Sequence, residues 1–395
     1  MKPGVQSFAL ISAIEALVRG TSLSVYPLVM YRVLGSATAV SEVYFAVGLL
    51  SLMLAFGVPS LARKVPRNWI YAGAVSLYVL SGVLGAIGGK LTVVALLCNS
   101  TAAAAGFVCF NAYVLDYVAK TEFGRLESLR MLYGGFGWVA GPTLGVWLLS
   151  VWEGAPFILL GCAALAMLAL VHRLKLGNGR EMALSRPRSS HPIANLRRFV
   201  AQPRLVAGWF IPLMRSCGWW CYFVYVGIFA VENGLGPQVG GFSASAANMG
   251  LLMAPLMLRW MQKRSVRQAV RTGALVSGLS FVLAALVSPV PWATVAVLVF
   301  GTVFLVLLDV CAGLPFLMAV KPSERTEMSA VYSSFRDSSG ILSPGVAWLV
   351  LLFAPVAGVF AAGGVGLIAA WAVAGRLHPQ LGVPGKLRVR ETRKP

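Results

Sequence analysis

Twelve long apolar segments constrain the fold of this chain more than any other feature of its sequence. They cover residues 6–31, 40–62, 69–89, 91–118, 129–151, 154–173, 204–230, 244–262, 268–288, 291–318, 331–353 and 355–375. Each is close to or above the ~20 residues that an α-helix needs to cross a bilayer. A spanning segment must satisfy its own backbone hydrogen bonds, and these segments lack the alternating pattern of a β-barrel. The sequence therefore predicts an all-α membrane protein with twelve transmembrane helices.

The basic residues are distributed unevenly about these segments. The chain carries 33 Lys and Arg against 13 Asp and Glu, which gives a net charge of +20. When the helices alternate in direction, 29 of the bases fall on one side, and only Arg32 and Lys90 fall on the other. The positive-inside rule then predicts cytosolic termini in a bacterial-type cytoplasmic (inner) membrane. This distribution argues against nucleic acid as a partner, although the net charge alone would suggest it.

The sequence also repeats weakly at half its length. The basic motif from Arg63 to Arg67 has a counterpart from Lys263 to Arg267. Three further pairs follow in the same order, and all four offsets lie between 193 and 206 residues: Arg19 with Arg215, Asp116 with Asp309, and Arg130 with Arg336. The repeat predicts two six-helix bundles, 1–173 and 204–375, with a cytosolic linker over 174–203 and a basic cytosolic tail over 376–395. Within the linker we expect a short surface helix from Ile193 to Val200, with Arg197 and Arg198 facing lipid headgroups.

Twelve spans in two similar halves, a long central connector and basic motifs after spans two and eight together resemble the major facilitator superfamily. The resemblance implies two pseudo-twofold-related bundles that rock around a central site near the bilayer midplane. It also implies a monomer that binds a small-molecule substrate, together with protons or a counter-solute. It implies no cofactor and no enzymatic activity.

The family motif after the second span usually reads Gly-x-x-x-Asp-Arg-x-Gly-Arg-Arg. In this chain Arg63 and Arg67 occupy basic places, whereas Ala62 stands at the acidic place. We expect Asp116, near the cytosolic end of the fourth span, to pair with one of these arginines when the cytosolic side closes. Lys263 and Arg267 are the corresponding gating candidates in the second half.

The fifth span contains Gly137, Gly141, Pro142 and Gly145 in a pattern that resembles the Gly-x-x-x-Gly-Pro-x-x-Gly signature of drug:proton antiporters. Glycines every four residues leave one helix face without side chains, and the proline bends the helix. Such a helix would suit a moving interface between the halves, but ordinary helix packing explains the same pattern. The arginine that proton-coupled exporters usually carry in the fourth span is missing, which puts coupling by that route in doubt.

Two arginines lie deep within spans, where a charge is costly. Arg19 and Arg215 occupy equivalent places in the first and seventh spans, so a pseudo-twofold axis predicts that they face each other across a cavity. This arrangement resembles the organophosphate:phosphate exchangers of the superfamily, because guanidinium groups suit oxyanions. Glu15 and Asp309 are the predicted proton carriers. Internal salt bridges between these acids and arginines are the alternative interpretation.

Further substrate contacts are predicted from aromatic and amide side chains. Trp219 and Tyr222 share a helix face with Arg215, which suits an aromatic or conjugated anionic solute. Asn111 and Asn248 are expected to face the interior, either as substrate contacts or as interhelical hydrogen-bond donors. The six cysteines lie in apolar runs and are interpreted as small hydrophobic residues, so no metal site is predicted.

These features predict a secondary active transporter of a small organic solute that works by alternating access. An exporter by proton antiport is the leading hypothesis. An uptake or exchange carrier for an organic anion, using Arg19 and Arg215, is the alternative. A membrane sensor or scaffold with a transporter-like fold is the second alternative.

Overall fold

The computed structural model describes residues 4–61, 65–118, 122–174, 192–321 and 324–378, and within these ranges it contains helices and no strands. The helices before the predicted linker, and the short helix at its end, are α1 (Val5–Leu34), α2 (Ala37–Leu61), α3 (Arg67–Ile87), α4 (Leu91–Tyr117), α5 (Phe123–Val151), α6 (Ala155–Arg173) and α7 (Pro192–Val200).

The later helices are α8 (Pro203–Glu232), α9 (Pro237–Met249), α10 (Ala254–Gln262), α11 (Val266–Leu286), α12 (Pro291–Cys311), α13 (Leu314–Ala319), α14 (Arg325–Ser333), α15 (Phe335–Leu351) and α16 (Val356–Ala374). A short 3-10 segment, Gly250–Met253, connects α9 to α10.

Glycine, proline and serine account for several helix ends. Gly35 has a φ of 74°, a left-handed conformation that suits glycine, and its N–H donates to the Tyr31 carbonyl at 2.9 Å to close α1. The Ser265 side chain accepts a hydrogen bond from the Gln268 N–H at 3.2 Å and so caps the start of α11. Pro291 stands at the first position of α12, where its missing N–H costs nothing.

Ten stretches of the described residues are long and apolar enough to cross a membrane. They correspond to ten of the twelve predicted spans, and the other two correspond to α8 and α15. In α8 the mean hydropathy is lowered by Arg215 and by the neighbouring Trp219, Trp220 and Tyr222. Helix α15 has 17 residues, which is about 25 Å of helix and slightly short of the hydrocarbon thickness.

Two spans differ from their predicted limits. The span predicted over 244–262 begins at Pro237 and is interrupted by the 3-10 segment, so it consists of α9 and α10. Its first part, Pro237–Met249, is rich in Gly, Ala and Ser and therefore lacks the hydropathy on which the prediction depended. The span predicted over 291–318 is divided between α12 and α13, with Ala312 and Gly313 between them.

The helices group into two units by their backbone contacts. The first unit comprises Met1–Pro187 and Val226–Asn248, and the second comprises Arg188–Tyr225 and Met249–Pro395. In the first unit α1 packs extensively on α5, and α3 packs on both α4 and α6. In the second, α11 packs between α12 and α16. The predicted domain limits at 173 and 204 remain a prediction.

The short helix α7 forms near the predicted position, and its Arg198 pairs with two acids, while the predicted contact with lipid headgroups stays a prediction. The Arg198 guanidinium donates to Glu324 Oε1 at 2.8 Å and to Glu327 Oε2 at 3.0 Å. Phe199, on the same helix, is buried against Phe316 in a small apolar cluster. Helix α7 is therefore held to the second unit by ion pairs and by a buried aromatic ring. Residues 175–191 of the predicted linker lie outside the described residues.

Candidate functional site

A charged cluster lies inside the second unit, where α8 meets α12. Arg215 Nη1 donates to Asp309 Oδ1, and Arg215 Nη2 donates to Ser216 Oγ at 2.9 Å. The Trp219 indole N–H approaches both carboxylate oxygens of Asp309, at 3.3 and 3.2 Å. Asp309 thus accepts hydrogen bonds from a guanidinium and from an indole on the same helix. The side chains of Arg215 and Asp309 are only 19% and 23% exposed, so water screens the attraction between their charges only weakly.

Aromatic rings surround this cluster. The Arg215 guanidinium lies 5.7 Å from the ring centre of Phe335 in α15. Trp219 stacks on Phe223, with ring centres 5.0 Å apart and planes inclined by 11°. Tyr222 is fully buried, in edge contact with Trp219, and Trp219 in turn contacts the Asp309 carboxylate.

A second charged cluster lies in the first unit, on α1 and α5. Arg19 Nη1 is 3.9 Å from Glu15 Oε1, one helical turn earlier. The Arg19 guanidinium also lies 5.5 Å from the ring centre of Trp138. Arg130, near the start of α5, donates to Glu127 Oε2 at 3.1 Å. Glu15 and Arg19 were predicted as site residues from their charge, whereas Trp138 was not, since its only distinguishing feature in the sequence is its place next to Gly137.

The arginines of the two clusters differ in the hydrogen bonds that their guanidinium groups make. A separation of 3.9 Å is an ion pair but not a hydrogen bond, and the Arg19 side chain is 43% exposed. The Arg19 guanidinium therefore keeps donors available to a ligand, whereas Arg215 is already bonded to Asp309 and Ser216. Because the clusters belong to different units, the predicted opposition of the two guanidinium groups remains a prediction.

The glycine face of α5 packs against α1, inside the first unit. A Cβ atom at Gly137 would lie 2.6 Å from the Leu17 amide nitrogen, and one at Gly141 would lie 2.8 Å from the Thr21 amide nitrogen. At Gly145 the same atom would meet the Thr21 and Val25 side chains, each at 2.8 Å. These distances are too short for any side chain. The predicted close helix approach therefore exists, and its partner is α1. The gating role of these residues stays a prediction.

Pro142 leaves a carbonyl without its helical partner, and Asn248 supplies the missing donor. A proline nitrogen cannot donate, so the Trp138 carbonyl four residues earlier loses its usual bond. The Asn248 side-chain amide donates to this carbonyl at 2.8 Å. Ser245, one turn before Asn248 on α9, adds a bond of 2.7 Å between its hydroxyl and that of Thr143. Asn248 thus serves as an interhelical donor in this structure, and a substrate contact by it stays a prediction.

We expect Asn248→Ala to lower the free energy of unfolding by about 1 kcal/mol, because it leaves the Trp138 carbonyl without a partner. In a Pro142→Ala background the restored amide at position 142 supplies that bond, so the same substitution should cost clearly less. Unfolding of the four proteins in detergent measures this coupling. Equal losses in both backgrounds would show that Asn248 does not act through the proline.

The remaining predicted residues are placed as follows. Asn111 is half-buried in α4. Lys263 is exposed just after α10, and Arg267 donates to the Gly375 carbonyl at 2.6 Å, beyond the end of α16. Arg63 lies outside the described residues, and the side chains of Arg67 and Asp116 are also outside the described part of the structure. The gating pair predicted for Asp116 therefore stays a prediction.

Metal ligation has no support from the residues that the structure describes. Among them, no group of three or more His, Cys, Asp or Glu side chains is placed to hold a metal ion. All six cysteines are free, and five of them are buried. Their surroundings agree with their interpretation as small apolar side chains.

Comparisons with known proteins agree with this architecture. The family model of the Major Facilitator Superfamily matches residues 8–344. No curated protein matches the chain significantly. Three solved structures share the fold at low identity. The nucleoside transporter NupG has a TM-score of 0.73 at 14% identity, and the match covers 95% of this chain and 99% of that one. A POT family transporter in complex with 5-aminolevulinic acid has a TM-score of 0.76 at 11% identity, with 93% and 94% covered. A D-xylose-proton symporter has a TM-score of 0.73 at 12% identity, with 96% and 99% covered.

The length and hydropathy of the helices are those of a polytopic helical membrane protein. The chain belongs to the major facilitator superfamily, since the family model spans most of its length. It has the twelve-helix fold of that superfamily, and its family is one of transporters and not of enzymes.

Proposed function

We propose that this transporter exports a small organic solute in exchange for protons, with Asp309 as the proton carrier and Arg215 as its counter-charge. The observation that carries the proposal is the cluster in which Asp309 accepts from Arg215 and Trp219 at once. A carboxylate within a membrane span is costly and marks an ion or substrate pathway by default. The glycine-proline pattern of α5, which resembles the antiporter signature, supports the same direction of transport.

Protonation of Asp309 changes what the cluster attracts. The neutral acid no longer neutralises Arg215, and it no longer offers a negative charge to a ligand. A solute that binds through a positive charge or a hydrogen-bond donor therefore competes with the proton for Asp309. Such competition produces antiport, because the protein carries either the solute or the proton but not both.

A carrier for organic anions is the second candidate, and the exposure of Arg19 favours it. Arg19 is 43% exposed, and its nearest carboxylate oxygen is 3.9 Å away, so its planar fork is open to a carboxylate or phosphate. For an anion, protonation of Asp309 has the opposite effect, since it releases Arg215 for the ligand. The two candidates therefore predict opposite effects of pH on solute binding.

The experiment is a binding screen of the full chain in detergent at pH 6 and pH 8. The probes are a nucleoside, 5-aminolevulinic acid, D-xylose and salicylate, each scored by the shift in thermal unfolding midpoint. Under the antiport proposal, the solute that stabilises the protein binds more weakly at pH 6, and Asp309→Asn removes this pH dependence. Stronger binding at pH 6, lost in Arg215→Lys, selects the anion carrier instead.

Transport is then measured with the selected solute in proteoliposomes. An inwardly directed proton gradient should drive export of the solute, and Asp309→Asn should abolish the effect of the gradient. Solute exchange that ignores the gradient would contradict proton antiport. A protein that binds the solute but never moves it would be the sensor or scaffold.

A further inference from the structure

A cavity of about 430 Å³ lies between the start of α11 and the end of α16, in the second unit. Polar side chains from the first turns of α11 line one wall, and Trp371 of α16 forms the other. Leu275, one turn deeper on α11, closes its apolar side. The two helices come close enough below the cavity that a Cβ atom at Gly278 would lie 2.9 Å from the Gly364 carbonyl oxygen. Close contact between the two helices therefore bounds the cavity on this side.

The two helices that form this cavity, α11 and α16, carry no acidic residue. Five bases occur between Arg259 and Arg271, and the sequence contains no Asp or Glu between Glu232 and Asp309. Helix α16 also contains no acid, because none occurs between Asp337 and Glu391. The helices that form the cavity thus provide no carboxylate to neutralise its arginines.

The two arginines that line the cavity make different contacts. Arg267 Nη2 donates to the Gly375 carbonyl at 2.6 Å, which closes the carboxyl end of α16. The Arg271 guanidinium lies over the Trp371 ring, with its carbon 4.9 Å from the ring centre. Its Nε is buried and has no hydrogen-bond acceptor among the described residues. The indole ring attracts the Arg271 cation but offers no nitrogen or oxygen acceptor to its N–H groups.

We propose that this cavity binds a phosphate group, with Arg271 as its main ligand and with Ser265, Gln268 and Thr272 as neutral hydrogen-bond donors. A planar guanidinium presents parallel N–H groups that match phosphate oxygens. The apolar wall of Leu275 and Trp371 fits the glycerol and acyl region of a lipid whose headgroup carries that phosphate. Free phosphate offers the same oxygens without the apolar part. The cavity is separate from the Arg215 cluster and does not depend on the transport mechanism.

The test measures thermal unfolding of the full chain in an uncharged detergent. The probes are dioctanoyl phosphatidylglycerol, dioctanoylglycerol without a phosphate, and inorganic phosphate. Phosphatidylglycerol should raise the unfolding midpoint in a saturable way, and Arg271→Gln should weaken its apparent affinity about tenfold or more, as expected for loss of a charge-assisted bidentate contact. Arg271→Lys keeps the charge but loses the fork, so it should show a smaller loss.

Arg264→Gln is the matched control, because Arg264 lies 4.8 Å from the ring centre of Trp260 and does not line the cavity. It removes the same charge and the same kind of guanidinium–indole contact, and it should change the affinity less than twofold. If inorganic phosphate alone raises the unfolding midpoint in a saturable way and competes with the lipid, free phosphate is the ligand. Equal stabilisation by dioctanoylglycerol, or equal losses in Arg264→Gln and Arg271→Gln, would overturn the proposal. If Arg271→Gln fails to fold, Arg271→Lys and Arg264→Gln still decide between these outcomes.

Discussion

Asp309→Ala should lower the free energy of unfolding in detergent by about 3 kcal/mol, the lower end of the range for breaking a buried ion pair. The substitution leaves the Arg215 guanidinium in a partly buried position without its carboxylate. It also removes the acceptor of the Trp219 indole N–H. The loss therefore comes from desolvated donors that have no partner and not only from a lost attraction.

The second substitution separates these causes. Arg215→Ala in the Asp309→Ala background removes the unpaired charge, so the double variant should regain at least half of the lost stability. Glu153→Ala is the matched control, because Glu153 pairs with Arg32 at 3.2 Å but is 79% exposed. Its loss should stay below about 1 kcal/mol, as for other surface pairs. Additive losses from Asp309→Ala and Arg215→Ala would contradict the coupling.

Gly141→Ala should destabilise the protein by about 1–3 kcal/mol, the usual cost of overpacking. The new Cβ would lie 2.8 Å from the Thr21 amide nitrogen and 2.9 Å from the Gly20 carbonyl carbon. Both neighbours are backbone atoms of α1, so the clash is relieved only if the two helices move apart. Thermal unfolding in detergent measures the effect.

Gly135→Ala, on the same helix, controls for the intrinsic helix preference of alanine. A Cβ atom at Gly135 meets nothing within 4 Å, so this change should be neutral or slightly stabilising. The difference between the two variants isolates the contact with α1. Equal behaviour of Gly135→Ala and Gly141→Ala would mean that α1 and α5 do not pack as closely as described.

The sequence was most informative where hydropathy carried the signal. Ten predicted spans coincide with apolar helices, because a run of ~20 apolar residues has few other stable uses. It was less informative where small residues replace large apolar ones. Helix α9 is rich in Gly, Ser and Ala, and its packing partners, such as Thr143 and Trp138, are remote in sequence.

The candidate site divides in the same way. A charged side chain inside a membrane span is energetically costly, so the sequence alone predicts that Arg215 has a partner, and Asp309 was the expected acid. The role of Asn248 could not be inferred from the sequence. It depends on the position of α9 beside the Trp138 carbonyl, which has no helical donor because residue 142 is proline. Likewise the glycine face of α5 predicted a close neighbour but not its identity, because a surface without side chains fits any helix.

Access of water to the Arg215 cluster tests the central claim most directly. Ser216 is bonded to Arg215 at 2.9 Å, so a Ser216→Cys thiol, in a background with all six native cysteines replaced by alanine, reports on the cluster. In sealed vesicles of either orientation, a membrane-impermeant methanethiosulfonate should label this thiol from both sides. Phe300→Cys, at a 55% exposed apolar position of α12, should remain unlabelled from either side. Labelling of Ser216→Cys from one side only, or from neither, would contradict a cluster that opens to each side of the membrane in turn.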